Sequence, residues 1–487
     1  MRCVVFGATG YLGVRLVPEL LSAGHDVRVM ARTPAKLDEV PWRRDVEVVE
    51  GDVTDIEKVR QALDGQQVLY YLVHSMLSAN FVDVDARGAS IVADAAAHAG
   101  LARIVYVGGI IAEHQTLSDH LASRAEVGRL LHDSGIPTAE LRAAAIIGAG
   151  SASFEMLRYL TERLPVMVTP KWLRTQVQPI AVRDVLYYLT KAAELPAGVS
   201  RAFDIGGPDT FTYTEMIRKY ASIAGLRRRI AIPVPVLTPW LSSHWVNLIT
   251  PLPRSLASSL MESLENDVVC TEHDIADHIP DPENGLSHYD DALELALERT
   301  RDSALTTRWS RPGGDDAPSQ PLPTDPDWAG GSLHEQVLER AVDSDLETLW
   351  RVLESVGDEH GWSAAPPAWA LRGGIGRKAD GQKHLQQPRQ LRAGEAVDWW
   401  RVEHVDRPHT LRLRADVPLP GRLWLELSTS AEGGDRCRFR QRVVFQPYGL
   451  AGEAFWVAST PLRGITCAGI ARAITSRANA AYVAARS

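Results

Sequence analysis

The chain has 487 residues, 45% of them hydrophobic and 23% charged, with a formal net charge of −9 at pH 7. This is ordinary globular composition, which excludes a disordered chain, a collagen and a small disulfide scaffold. The length suggests roughly two to four domains, and the acidic balance excludes a chain that binds nucleic acid through its overall charge.

Short apolar runs alternate with helical patterns through the first part of the chain. Arg2–Phe6, Val27–Met30, Val46–Val49, Val68–Val73, Arg103–Val107 and Thr138–Arg142 read as strands. Leu12–Ala23, Ile56–Leu63, Ala86–Ala99 and Leu121–Ser134 read as the helices between them. This alternation predicts an α/β fold with a Rossmann-type, doubly wound parallel sheet. Pro18 falls inside the first helix and removes one backbone donor there. Ala231 to Pro253 carries no Asp, Glu, Lys or Arg, which raises the question of a membrane span. Its prolines at 233, 235, 239, 251 and 253 argue against one continuous helix. An apolar substrate lobe near residues 231–265 is preferred, with peripheral membrane contact as the alternative, and Leu256–Leu264 resumes as helix.

The turn-rich stretch after Arg301 places a linker at 301–331, between a first domain at 1–300 and a second at 332–487. In the second domain, helical Leu346–Val356 precedes strands at Ala396–Val402, Thr410–Asp416, Gly421–Ser428 and Cys437–Gln446. Helical Ala454–Ala484 follows. Cys3, Cys270, Cys437 and Cys467 form no C-x-x-C pair, so no metal site is expected. The start of the chain runs directly into a strand without a signal segment, which points to the reducing cytosol.

The main chemical signal is Gly7-Ala8-Thr9-Gly10-Tyr11-Leu12-Gly13, which leaves the first strand and opens the first helix. Glycines at this spacing permit a tight turn and let a pyrophosphate approach backbone N–H groups at a helix N-terminus. Thr9, Tyr11 and Leu12 lie within the same loop. The second strand ends at Arg32, with Lys36 one turn further on, where a 2′-phosphate could meet a guanidinium fork. Asp26 lies at the wrong end of that strand to bond a ribose hydroxyl. These positions favour NADP(H), with NAD(H) as the alternative. Asp52 and Val53 follow the third strand, at the adenine position. His74 and Ser75 follow the fourth strand. Gly108 and Gly109 follow the fifth strand, where the absence of side chains would leave room for a nicotinamide or a substrate.

With these pieces in place the sequence resembles the short-chain dehydrogenase/reductase superfamily, specifically its atypical, NmrA-like branch. The glycine motif carries the resemblance together with Gly51-Asp52-Val53-Thr54-Asp55, Tyr71-Leu72-Val73-His74-Ser75-Met76, Gln178-Pro179-Ile180-Ala181-Val182-Arg183-Asp184 and Phe203-Asp204-Ile205-Gly206-Gly207. It covers roughly residues 1–300. Ordinary members of the superfamily use Tyr-x-x-x-Lys on the helix after the fifth strand. Here that helix reads Ser118-Asp119-His120-Leu121-Ala122-Ser123-Arg124, so His120-x-x-x-Arg124 is the replacement. The i,i+4 spacing puts both on one helix face. His120 could serve as the acid, because an unperturbed imidazole titrates near 6.5, and Arg124 could bind ribose or phosphate. His74 and His114 are lesser candidates.

The second domain holds Trp350, Trp362, Trp369, Trp399, Trp400, Trp424 and Trp456. Its order of helix, antiparallel strands and long final helix resembles the α+β helix-grip (START-like) fold, which encloses a small hydrophobic ligand. Gly373-Gly374-Ile375-Gly376-Arg377-Lys378 lacks the G-K-[ST] ending of a phosphate loop. The leading expectation is an NADPH-dependent oxidoreductase acting on a hydrophobic carbonyl, enone or quinone. The alternatives are an NADP(H) sensor without turnover, or a carrier or assembly protein at a membrane or quinone site.

Overall fold

The structure, a computed structural model, describes all residues except 79, 112–116, 170, 234–248, 264–265, 306–321, 323, 327, 331–332, 356–389, 398, 434–435 and 487. The chain divides into two compact units, Met1–Gly331 and Ser332–Ser487.

In the first unit, β1 (Arg2–Phe6), β2 (Asp26–Ala31), β3 (Glu47–Glu50), β4 (Val68–Tyr71), β5 (Arg103–Gly109), β6 (Thr138–Ala143) and β7 (Arg201–Ile205) form one sheet. Its order is β7-β6-β5-β4-β1-β2-β3, and each neighbouring pair is parallel. The order reverses between β1 and β4, and ligands of such sheets gather outside the strand ends at that point. Strand side chains alternate between two buried faces. Val5, Val29, Tyr70 and Val105 pack on α1 (Tyr11–Ser22) and, further on, α6 (Val182–Ala192). Val4, Phe6, Tyr71 and Tyr106 pack on α2 (Ile56–Leu63), α3 (Phe81–Ala99) and α4 (Asp119–His132). Pro18 sits within α1 without ending it.

A second core joins α5 (Ala152–Arg163), α7 (Tyr213–Ile223), α8 (Arg254–Ser263) and α9 (Tyr289–Leu305) through Phe154, Leu157, Met216, Tyr220, Leu256 and Leu293. The central part of the expected apolar lobe lies outside the described residues. Among the described residues, no helix is long and apolar enough to cross a membrane.

The expected linker needs correction at both ends. Residues 301–305 belong to α9. Further along, Asp325, Trp328 and Gly330 are bonded into the first unit. A turn-rich composition reports the absence of regular structure; it does not report the absence of packing. The middle of this stretch lies outside the described residues.

The second unit is a six-stranded antiparallel sheet formed by β8 (His334–Val342), β9 (Ala396–Val397), β10 (Trp400–Asp406), β11 (Thr410–Ala415), β12 (Gly421–Gly433) and β13 (Arg436–Pro447). Its order is β8-β13-β12-β11-β10-β9. One face buries Leu413, Leu427, Phe439 and Val443 with residues of α10 (Leu346–Glu354) and α12 (Thr460–Arg486). A further helix, α11 (Gly449–Ala458), precedes α12. The START-like expectation narrows to this description, a β-sheet with helices. Trp350, Trp400 and Trp424 are buried, whereas Trp362, Trp369 and the glycine-rich 373–378 segment lie outside the described residues.

Candidate functional site

The glycine motif makes a turn that only small residues allow. Gly7 has φ +89°, and a Cβ on it would stand 2.6 Å from the Leu72 carbonyl oxygen. The Gly10 N–H donates to the Gly7 carbonyl over 2.9 Å. A Cβ on Gly13 would lie 2.2 Å from that same carbonyl oxygen, so α1 starts in direct contact with the turn. Gly10 is the N-cap of α1, and no side chain caps the first turn. Its first N–H groups and the positive end of the helix are left for an anion. These residues fit a dinucleotide pyrophosphate. Thr9, Tyr11 and Leu12 are half-buried around them. Among the described residues the buried Tyr11 hydroxyl has no hydrogen-bond partner, and the Tyr11 ring centre lies 4.1 Å from the guanidinium carbon of Arg15.

At the end of β2 the structure brings Arg32 and Asp52 together. Their nearest atoms are 3.9 Å apart, and Arg32 is 80% exposed. Asp52 also accepts from the Thr54 N–H (2.9 Å) and hydroxyl (2.7 Å). Lys36 is exposed on a 3₁₀ turn, Pro34–Leu37. Val53 is buried, and a Cβ on Gly88 of α3 would meet its Cγ2 at 2.8 Å. Its side chain is therefore a wall of the core, and only its backbone is left for an adenine.

The chemistry-bearing groups gather where β4 and β5 end. Burial raises the Asp85 carboxyl on α3 above its ordinary value, against the pull of Ser75 and Arg124. Tyr71 and Tyr106 lie side by side, with ring centroids 6.2 Å apart. The Tyr106 hydroxyl donates to the Arg124 carbonyl over 3.1 Å. Burial lowers the His120 imidazole to about 3, and the charges of Arg124 and His74 push it the same way. Solvent reaches one side of His74, but enclosing protein and then Arg124 lower it as well. Both imidazoles are therefore neutral at pH 7. Neutral His120 can donate an N–H bond or relay a proton, but it is not a standing imidazolium at pH 7. The guanidinium of Arg124 stays charged beside Tyr106 and Asp85. His114 lies outside the described residues.

Gly108 and Gly109 each face protein in the direction of a would-be Cβ. A Cβ on Gly108 would strike Glu140 Oε1 at 2.6 Å, and a Cβ on Gly109 would meet Leu121 Cδ2 at 2.9 Å. In that direction these glycines make room for protein side chains. Glu140 is buried on β6, paired with Arg142 at 2.9 Å and His132 at 3.5 Å.

Sequence reasoning missed Asp85, although a signal was present. Asp85, Gly88, Ala89, Val92 and Ala96 make one buried helical stripe, and an acid on such a stripe is a candidate for function. It also missed Arg15, whose side chain is 2% exposed and bidentate with Asp325.

A family model described as NAD(P)H-binding matches residues 7–150, and one described as a protein of unknown function (DUF2867) matches residues 328–469. The ceramide reductase of Caulobacter vibrioides is 31% identical over 240 residues, covering 47% of this chain and 73% of that protein. The mitochondrial NADH dehydrogenase [ubiquinone] 1 alpha subcomplex subunit 9 of Mus musculus is 27% identical over 261 residues, 50% of this chain and 65% of that protein. Among solved structures, the triphenylmethane reductase of Citrobacter sp. superposes with a TM-score of 0.50 at 19% identity, covering 61% of this chain and all of that one, which is a likeness of fold. The tight glycine turn, the uncapped helix start and these relatives together place the chain, through its first unit, in the NAD(P)H-binding, atypical NmrA-like family of short-chain dehydrogenases/reductases.

Proposed function

We propose that the chain is an NADPH-dependent reductase of a hydrophobic carbonyl, enone or quinone. The observation that carries this reading is the cluster of His74, Asp85, His120 and Arg124 at the ends of β4 and β5, on the carboxyl edge that also holds the glycine loop. Gly7, Gly10 and Gly13 would hold the pyrophosphate, and Arg32 would meet the 2′-phosphate. Bound NADPH supplies a hydride. The chain's task is then to hold the acceptor and stabilise the oxygen that gains charge. A neutral imidazole and a fixed guanidinium in a crevice suit that task, because preorganised donors act strongly where water is scarce. His120 would pass its N–H proton to the acceptor oxygen while its other ring nitrogen takes a proton from water, so that it relays a solvent proton and stays neutral. Arg124 would balance the developing negative charge. The apolar sheet face under α10 and α12 supports a helix-grip reading of the second unit, with a small hydrophobic ligand as its guest.

The test is calorimetric titration with NADPH and NADH, followed by a panel of quinones and enones with cofactor absorbance as the readout. The reading expects tighter NADPH binding, oxidation by at least one acceptor, and loss of turnover but not of binding in His120→Ala. Binding without oxidation across the panel would favour a sensor, as the missing Tyr-x-x-x-Lys does. Unchanged turnover in His120→Ala would remove its assigned role.

A further inference from the structure

We infer that Asp325 is a positioning residue of the dinucleotide loop, acting through Arg15. The described residues here, Leu322, Thr324, Asp325, Pro326, Trp328, Ala329 and Gly330, form a strap at the start of α1 and the loop after β6. Asp325 holds Arg15 by two bonds, 2.8 Å and 2.6 Å, and both side chains are almost wholly buried. The same guanidinium donates to the Tyr11 carbonyl (3.1 Å) and the Ala149 carbonyl (3.4 Å) and lies over the Tyr11 ring. Tyr11 directly follows Gly10, the N-cap that opens the pyrophosphate seat. A Cβ on Gly150 would lie 3.2 Å from Asp325 Oδ2 and 3.4 Å from the Tyr11 ring, so strap, loop and helix start are in contact.

Two more bonds fasten the strap. The Gly330 N–H donates to Glu155 Oε1 over 3.0 Å, and Gly150 donates to the same oxygen over 3.0 Å. The Tyr159 hydroxyl donates to the Trp328 carbonyl over 2.9 Å. Trp328 is also where the match to the second family begins. Trp328 and Gly330 thus fall within that match, yet both lie in the first compact unit.

The physical argument is one of compensation. A buried guanidinium that loses its carboxylate must find water or another acceptor. Arg15 can do so only by leaving Tyr11 and Ala149, which loosens the first turn of α1. By linkage, a nucleotide that needs that turn in place tightens the strap in return. The inference rests on nucleotide binding and is independent of turnover, so a protein that binds but never oxidises NADPH leaves it standing.

The test uses the full chain. Asp325→Asn keeps the shape and removes the charge; it should weaken NADPH and NADH binding together, by about five- to tenfold. Asp325→Glu should recover most of the loss. Tyr159→Phe, a milder cut in the same strap, should weaken both nucleotides by a smaller factor. Hydrogen exchange across 322–330 should slow when NADPH is added to the wild type. A purely structural role would lower the melting temperature and leave the dissociation constants of the folded protein unchanged. That result, or exchange in the strap indifferent to nucleotide, would overturn the inference. If Asp325→Asn does not fold, Tyr159→Phe and the wild-type exchange decide.

Discussion

Replacing Gly108 with alanine separates two accounts of the fifth strand's end. A ligand-clearing glycine would lose cofactor affinity on gaining a methyl group, whereas the structure aims that methyl at Glu140. The new Cβ would lie 2.6 Å from Oε1, about 0.8 Å inside ordinary contact at 3.4 Å. The carboxylate cannot retreat, because Gly128 faces it from α4, where a Cβ would lie only 2.7 Å from Oε2. Arg142 and His132 hold it from other sides. Overpacking of this kind costs about 1–3 kcal/mol. Taking about 2 kcal/mol, and about 2.1 cal/mol/K of unfolding entropy per residue over the 331 residues of the first unit, the melting temperature should fall by about 3 °C. Thermal unfolding followed by circular dichroism reads the loss, and calorimetry of the folded variant reads NADPH affinity. We expect destabilisation with the dissociation constant unchanged. A variant as stable as the wild type but weaker for NADPH would refute the reasoning.

Gly13→Ala should behave differently. Its methyl would lie 2.2 Å from a backbone oxygen, so α1 must move off the turn, and nucleotide binding should be lost by calorimetry; retained affinity would contradict the close-approach argument. Arg32→Gln should weaken NADPH about tenfold and NADH little, as expected for one charge-assisted phosphate contact; equal losses would end the NADP(H) preference. Acid stability should report His120. Its folded-state value near 3 lies below the ordinary 6.5, so its contribution is fully present above pH 6.5 and is lost as pH falls toward 3. Allowing for remaining solvent contact, wild type should lose about 2 kcal/mol more than His120→Gln between pH 7 and pH 4; parallel urea midpoints for the two proteins would count against a buried neutral imidazole.

The first sheet was legible because its central strands β1 and β4 are buried on both faces and appear as continuous apolar runs, as in Cys3-Val4-Val5-Phe6. The glycine loop was legible because backbone contact at Gly7 and Gly13 leaves no room for other residues. β8 was not found. It is an edge strand, His334–Val342, whose residues alternate between half-buried and exposed and include Glu335, Glu339 and Arg340, so its period is masked by charge. α3 begins at Phe81, ahead of the expected Ala86, because its first turn is only partly covered. Histidines 74 and 120 were visible as residues, but their neutral state follows from Arg124 and burial, which no local spacing encodes. The reason for Gly108 lay in Glu140 on the adjacent strand, a tertiary fact.

The bond between Arg15 and Asp325 spans 310 positions of the chain. During synthesis Arg15 is made near the start, while its counter-charge arrives after about 15–60 s at ordinary elongation rates of roughly 5–20 residues per second. Until then the nascent Rossmann sheet must either shield a solitary cation or leave the head of its first helix unsettled. Vectorial folding of this chain thus has a late closing step, and a ribosome that stalls before Asp325 leaves a sheet with all its strands but an unfastened first helix exposed to proteases and chaperones.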